Sequence, residues 1–242
     1  MREEMKGVKE EMINRSEESV ANVKSIFEEV ISVKDELREA RKEIAALKPQ
    51  FKFRSYEALA AADKLWFTDR NKAIAQYGHI SSWNVSSIMS MRLLFGVSSE
   101  EEDERNHCNK DFNEGLSGWD TSNVTDMSFM FRKAESFNID LSGWNVGNCT
   151  DMSVMFNFAK SFKSDLKEWN VGNVTDMPFM FLGAESFNSD CSRWSTGNCT
   201  NMYAMFSEFS LFNRDTIKNW DLSSIKGSVI GDTNHTKEQC KP

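Results

Sequence analysis

The sequence predicts an α/β repeat fold: a parallel solenoid with one short strand and one short helix per 25-residue rung, preceded by a long N-terminal helix. Three observations predict it. Trp119, Trp144, Trp169 and Trp194 follow one another at intervals of 25 residues, and Trp220 comes 26 residues later. Each of the first four opens a segment with the same Met-x-x-Met-Phe signature. The first 48 residues, by contrast, are dense in charge, carry no Pro and have Gly7 as their only glycine.

In residues 1–48, Val20, Val23, Phe27, Val30, Leu37, Ala40, Ile44 and Leu47 recur at mixed steps of three and four, with Lys34 interrupting. That spacing is one face of an amphipathic helix. At about 1.5 Å per residue the helix would span roughly 70 Å. Its stripe needs cover, supplied either by its own domain or by a coiled coil with another chain, and so by self-association through 1–48. Pro49 ends the helix, because the residue before a proline is biased out of the α region.

Residues 49–79 read as a helical N-terminal cap. Leu59, Ala62, Leu65, Trp66, Ala73, Ile74 and Tyr77 suggest two short helices, the first starting at Ser55 or Tyr56 and the second ending at Gly78. A repeat array needs a polar-faced end piece over its first rung. The array itself spans 80–231, and 232–242 is a polar tail. Trp83 precedes Trp119 by 36 residues, one period plus an insertion that lies in the acidic stretch 96–111, a surface loop.

Within a rung, Met127, Met130, Phe131 and Ala134 sit at i, i+3, i+4 and i+7, a short helix with its stripe inward. The same places hold Met152, Met155, Phe156 and Ala159, then Met177, Met180, Phe181 and Ala184, then Met202, Met205, Phe206 and Phe209. Thr125, Thr150, Thr175 and Thr200 are placed to N-cap these helices. Asp126, Asp151 and Asp176 suit the first turn, which also tolerates Pro178. Phe137, Phe162, Phe187 and Phe212 follow, and then an extended stretch such as 140–146, with Leu141, Trp144 and Val146, reads as the strand. Strands stacked at about 4.8 Å would make a column roughly 25–30 Å long. Trp119, Trp144, Trp169 and Trp194, with the repeated Met and Phe residues, are assigned to the core, where methionine fills gaps between rings. A copper(I) thioether site would require these sulfurs to be exposed and clustered.

The polar columns have structural and functional readings. Asp140, Asp165, Asp190 and Asp215 recur once per rung. Either each accepts hydrogen bonds from turn amides or the column is a cation ladder; the Gly-rich nonapeptide of calcium solenoids does not occur. Asn123, Asn148, Asn173 and Asn198 each open an Asn-x-Thr sequon, read as a ladder satisfying turn backbone, with glycosylation as the alternative in a secreted protein. Cys149 and Cys199 replace Val124 and Val174 two rungs apart, roughly 10 Å, beyond disulfide reach. They and Cys191 read as small buried hydrophobes; Cys108 falls in the insertion and Cys240 in the tail.

The repeats WDTSNVTDMSFMF, WNVGNCTDMSVMF and WNVGNVTDMPFMF, each followed by Ala-x-Ser-Phe, resemble the 25-residue repeat of BspA-type leucine-rich-repeat surface proteins, first noted in mycoplasmas as a repeat of unknown function. The lead-in 53–88 is similar to the segment that precedes such arrays. The resemblance covers about 51–231. It implies an LRR-like solenoid and binding or adhesion at cell surfaces, with no enzyme activity. The first rung departs from the pattern, with Leu94 for the second Met and Gly115 for the aspartate.

With 37 acidic against 29 basic residues the net charge is -8, which argues against nucleic acid as a partner. No run of about 20 apolar residues predicts membrane insertion. The opening MREEMKGVKEEM lacks the apolar core of a secretory signal, so the chain as written reads as cytosolic. His79, His107 and His235 do not repeat, and no P-loop, GxGxxG, HExxH or GxSxG occurs. The expectation is therefore a non-catalytic protein-binding or adhesion module that needs no cofactor. A glycan-binding surface of exposed tryptophans and a structural part of a larger assembly are the alternatives.

Overall fold

The computed structural model describes residues 5, 7, 15, 19–37, 51–97, 109–207, 212–225 and 230–231. The chain divides into two units, Met1–Pro49 and Gln50–Pro242.

In the first unit a continuous helix, α1, covers 19–37. Val20, Val23, Ile26, Phe27, Val30, Ile31, Val33 and Leu37 are all exposed on it. Of the helix expected over 1–48, only 19–37 is described as a continuous helix, the flanking stretches lying largely outside the described residues. The expected coiled coil is corrected, because among the described residues this apolar stripe is exposed. Without such packing little holds a helix beyond its intrinsic propensity. Ala40, Ile44 and Leu47 lie outside the described residues.

The second unit opens with α2, Tyr56–Thr68, and α3, Arg70–Tyr77. Ser55 accepts the amide of Ala58 and so caps α2. Gly78, at φ 79°, turns the chain out of α3. The two helices cover the first rung. Phe53 donates its amide to the Asn84 carbonyl at 2.9 Å, and the Tyr56 hydroxyl donates to the Arg92 carbonyl at 2.7 Å. The Trp66 ring lies edge-on to Trp83 at 6.0 Å.

The rungs that follow are stacked in parallel register, with single-residue bridges running Ser90–Asp126–Asp151–Asp176–Asn201. They are not built as the sequence predicts. Among the described residues of the array no α-helix occurs. Among the described residues the only strands are two residues long, β1 (Phe206–Ser207) and β2 (Ile230–Gly231), paired in parallel. The strand-plus-helix solenoid, and with it the LRR-like fold, is overturned.

The physical reason lies in the backbone of the Met-x-x-Met-Phe segment. Phe129, Val154, Phe179 and Ala204 have positive φ, as do Lys133, Phe158 and Gly183. A positive φ every few residues forbids a right-handed helix. Met127, Phe129, Phe131 and Lys133 instead donate their amides to Asp151, Ser153, Met155 and Asn157 of the next rung, at 2.7–2.9 Å. The carbonyls of Asp126, Ser128, Met130 and Arg132 accept from Met91, Leu93, Phe95 and Val97 of the rung before, at 2.8–3.1 Å. A trans peptide points its C=O and N–H in opposite directions. Every second peptide therefore lies along the stack axis, and these peptides join head to tail from rung to rung. The peptides between them close i to i+3 turns, as from Met130 to Met127 and from Ala134 to Phe131. Turns of this span put apolar residues at the same three- and four-residue steps as a helix does.

Thr125 and its counterparts accordingly cap no helix; their hydroxyls donate to carbonyls one rung back, Thr150 to Thr125 and Thr175 to Thr150 at 3.1 Å. Asp126, Asp151 and Asp176 occupy the bridge positions, not a helical first turn. Pro178 presents its carbonyl to Val154 at 2.9 Å. In 140–146, expected as a strand, Trp144 closes a turn on Leu141 at 3.0 Å.

The core is a set of aromatic columns. Phe95, Phe131, Phe156, Phe181 and Phe206 stack at 5.5–5.6 Å between successive rings. Phe112, Phe137, Phe162, Phe187 and Phe212 form a second column at 5.8–6.0 Å. Within a rung the two columns touch at about 4 Å, as in Phe156–Phe162. Offset stacking of this kind adds about 0.5–1.5 kcal/mol per pair beyond area burial.

Candidate functional site

Trp119, Trp144, Trp169 and Trp194 are 3–4% exposed. Each indole N–H donates to a carbonyl of an earlier rung: Trp144 to Leu116, Trp169 to Leu141 and Trp194 to Leu166, at 3.0–3.1 Å. A row of exposed tryptophans was the feature a glycan-stacking surface required, and these rings are not available for it. Met127, Met130, Met152, Met155, Met177, Met180, Met202 and Met205 are fully buried, and so are Phe131, Phe137, Phe156 and Phe162. Phe181, Phe187, Phe206 and Phe212 are buried as well. The thioethers are therefore closed to a soluble metal ion.

The Asn side chains reach one rung back. Asn148 donates to the Ser122 carbonyl, Asn173 to Gly147 and Asn198 to Gly172, at 2.6–2.7 Å. Asn123 does the same to Ser86 at 2.8 Å.

The aspartates of the opposite turn are exposed and individually tied down. Asp140 Oδ1 accepts the Ser142 amide at 2.9 Å, and Asp190 Oδ1 accepts that of Ser192 at 2.9 Å. Asp165 Oδ1 takes the Lys167 amide at 3.0 Å and the Ser189 hydroxyl at 2.9 Å. Asp215 pairs with the Lys218 ammonium at 2.8 Å. Hydrogen bonds from Ser142 and Ser192 hold the carboxyls of Asp140 and Asp190 below their ordinary range. An open depression of about 410 Å³ lies between two successive rungs, lined by Asn188, Asp190, Ser192, Asn213, Asp215 and Thr216. Among the described residues no group of three or more His, Cys, Asp or Glu side chains is placed to hold a metal ion.

Cys149, Cys191 and Cys199 are buried free thiols. Burial pushes Cys149 up to about 12 and Cys199 up to about 11, and raises Cys191 as well, so none is a ready nucleophile. Cys108, Cys240, His107 and His235 lie outside the described residues. His79 sits at the cap, its Nε2 3.8 Å from Glu114 and its Nδ1 2.8 Å from the Ser81 hydroxyl. Among the described residues no helix is long and apolar enough to cross a membrane.

The surface that sequence reasoning missed is the outer face of the axial peptide ribbon. The positions between the two methionines of each signature change from rung to rung; Ser153, Pro178, Phe179 and Tyr203 are half-buried there, while Ser128, Phe129, Val154 and Ala204 are buried. Ser128 and Phe129 give way to Ser153 and Val154, then Pro178 and Phe179, then Tyr203 and Ala204. Just beyond the signature, Lys133, Phe158 and Gly183 succeed one another. Phe158, Phe179, Leu182 and Tyr203 are half-buried, and Phe179 meets Tyr203 edge-on at 5.4 Å. Toward the cap, the Arg92 guanidinium lies 4.5 Å over the Phe129 ring. The available signal was the presence of large apolar residues at positions a helix would have pointed at solvent.

No curated protein and no solved structure matches the chain. A family model does, over residues 66–177 and again over 140–235, two overlapping stretches that together take in the cap from Trp66 and the rungs. The chain thus belongs to the family described as Mycoplasma protein of unknown function, DUF285.

Proposed function

We propose that this chain is a non-catalytic protein-binding module whose contact surface is the outer face of the axial ribbon. One observation carries the reading. Most of the repeated polar side chains are engaged within the stack, by a neighbouring rung or by their own turn, while the ribbon's outer positions vary and carry half-buried aromatic and aliphatic groups. Aromatic side chains such as Phe179 and Tyr203, packed on one another at the surface, are enriched at interface hot spots. The resemblance of the repeat to BspA-type surface proteins supports adhesion as the setting. The net charge of -8 favours a protein over nucleic acid as the partner. The buried tryptophans disfavour glycan stacking.

The test uses the full chain as bait against solubilised surface proteins of a host cell, beside a Phe179→Ser/Tyr203→Ser variant and an Asp140→Asn/Asp165→Asn variant. All three must show the wild-type circular dichroism spectrum. Capture of the same proteins by wild type and the aspartate variant, and its loss in the ribbon-face variant, is the expected result. Equal capture by all three would overturn the assignment of the face.

A further inference from the structure

Asp63 lies on α2 and is buried, 8% exposed, as are Leu59, Ala62 and Trp66 of the same helix and Ala73 of α3. Its Oδ1 has no hydrogen-bond partner. One turn further along the same helix, the indole Nε1 of Trp66 is also buried without a partner. The charged and titratable groups of the surrounding elements are committed elsewhere or stand apart. On α2 itself these are Glu57, whose carboxylate is held by its own amide and Ser55, and Lys64. At the junction, Asp69 takes the Lys72 amide at 3.0 Å. On α3, Arg70 lies 4.8 Å over the Trp66 ring and pairs with Glu114 at 3.1 Å, while Tyr77 packs on Phe53 and Trp83. Beyond α3, His79 meets the Trp66 ring edge-on at 5.1 Å and faces Glu114. Among the described residues no ion pair and no hydrogen bond is made to Asp63 Oδ1.

A carboxylate removed from water with no donor is disfavoured against its neutral acid, and the neutral acid carries an O–H of its own to donate. We propose that Asp63 is held as the neutral acid inside the folded cap, and that loss of its proton loosens α2 from α3 and from the first rung. The burial that raises its proton affinity well above the usual carboxylate range acts alone, with no opposing partner. Because α2 carries the Tyr56 and Trp66 contacts to the first rung, the proton on Asp63 controls how firmly the array is closed at that end.

The sign follows from linkage. An unfolded aspartate loses its proton near pH 3.9. The stabilisation is complete below that value, declines as pH rises above it, and is gone above the folded-state value. Through that window the unfolding equilibrium constant rises up to about tenfold per pH unit. The carboxyls of Asp120, Asp140, Asp190 and Asp221 are held low and act oppositely, losing their contribution as pH falls.

The experiment compares urea unfolding of the full wild-type chain and Asp63→Asn between pH 4 and pH 9. Asparagine keeps the shape and cannot ionise. The expected result is a wild-type midpoint that falls relative to the variant as pH rises from about 4, together with a loss of amide-exchange protection in α2 and α3 confined to wild type. A wild-type-minus-variant difference that does not change with pH, or changes in the other direction, would overturn the proposal. If Asp63→Asn does not fold, the carboxyl carbon-13 resonance of Asp63 in native wild type decides. A neutral-acid shift at pH 6 supports the proposal, and a carboxylate shift at that pH refutes it.

Discussion

Replacing Gly183 by alanine separates two forces that shape the ribbon. Gly183 has φ 75°, and a Cβ built on it would overlap the Phe158 ring, with Cε1 only 2.7 Å away. Carbon atoms in ordinary contact sit at about 3.5–4.0 Å, so the ring has to retreat by roughly 1 Å. Overpacking of that size costs about 1–3 kcal/mol. The left-handed backbone adds about 1–2 kcal/mol for a residue with a Cβ. Lys133 and Phe158 hold φ 60° and 56° at the equivalent positions of the two preceding rungs, so the backbone term alone is tolerated in this frame.

The sum for Gly183→Ala is about 2–5 kcal/mol, which for a chain of this size lowers Tm by roughly 5–15 °C. Phe158→Ala removes the ring that meets the new Cβ. In the double variant the steric part vanishes and the backbone part stays, which predicts a coupling of about 1–3 kcal/mol between the two positions. Urea denaturation of wild type, both single variants and the double variant measures it. A Gly183→Ala chain within about 0.5 kcal/mol of wild type, or a double variant whose loss is the plain sum of the singles, would refute the argument that Gly183 is small because Phe158 lies across it.

Phe156→Ala opens a cavity in the middle of both aromatic columns, since its ring meets Phe131 at 5.5 Å, Phe181 at 5.6 Å and Phe162 at 4.0 Å. The expected loss is about 3–5 kcal/mol by chemical denaturation, and less than about 1.5 kcal/mol would mean that the columns are not what binds the rungs. The thiols of Cys149, Cys191 and Cys199, all buried and raised, are expected to resist a disulfide reagent at pH 8 in the native chain and to react fully in urea. Prompt native-state modification of any of the three, mapped by peptide mass, would contradict their burial.

The period was legible in the sequence because tryptophan, methionine and phenylalanine recur at fixed intervals, and a repeat unit reveals itself by self-similarity alone. The construction of the unit was not. Met127, Met130, Phe131 and Ala134 have helical spacing, yet the i to i+3 turns of the ribbon generate the same steps. The deciding feature, positive φ at Phe129 and Lys133, involves residue types that carry no such signature. Glycine at these positions would have announced left-handed turns, and only Gly183 supplies one. That the described rungs hold almost no strand was hidden for a related reason. Inter-rung amide bonds need stacked chains, but these bonds do not require extended backbone. Asp63 escaped notice because an aspartate in the first helix of a cap is ordinarily solvated, and only the packing of α2 reveals that this one is not.

The stack also explains where function can reside. Identical side chains on successive rungs are brought within about 5 Å of one another, and like charges at that distance repel. The chain uses two solutions. One column alternates sign, with Lys110, Glu135 and Lys160 paired in sequence at 4.0 and 3.1 Å, and at a second position Glu168 meets Arg193 at 2.9 Å. The other repeats aspartate but anchors Asp140, Asp165 and Asp190 each to an amide of its own turn. Either way, a change at one rung disturbs a partner, because removing Asn173 strands the Gly147 carbonyl and removing Trp169 takes one of two donors from that of Leu141. The outward positions of the ribbon are different. Their contacts with neighbouring rungs, such as Phe179 on Tyr203 and Arg92 over Phe129, are ring packings that satisfy no carbonyl of another rung, so the sequence there can change without unsatisfying the frame. A surface that must match a partner needs that freedom together with rigid support, and the outer ribbon is where this fold offers both.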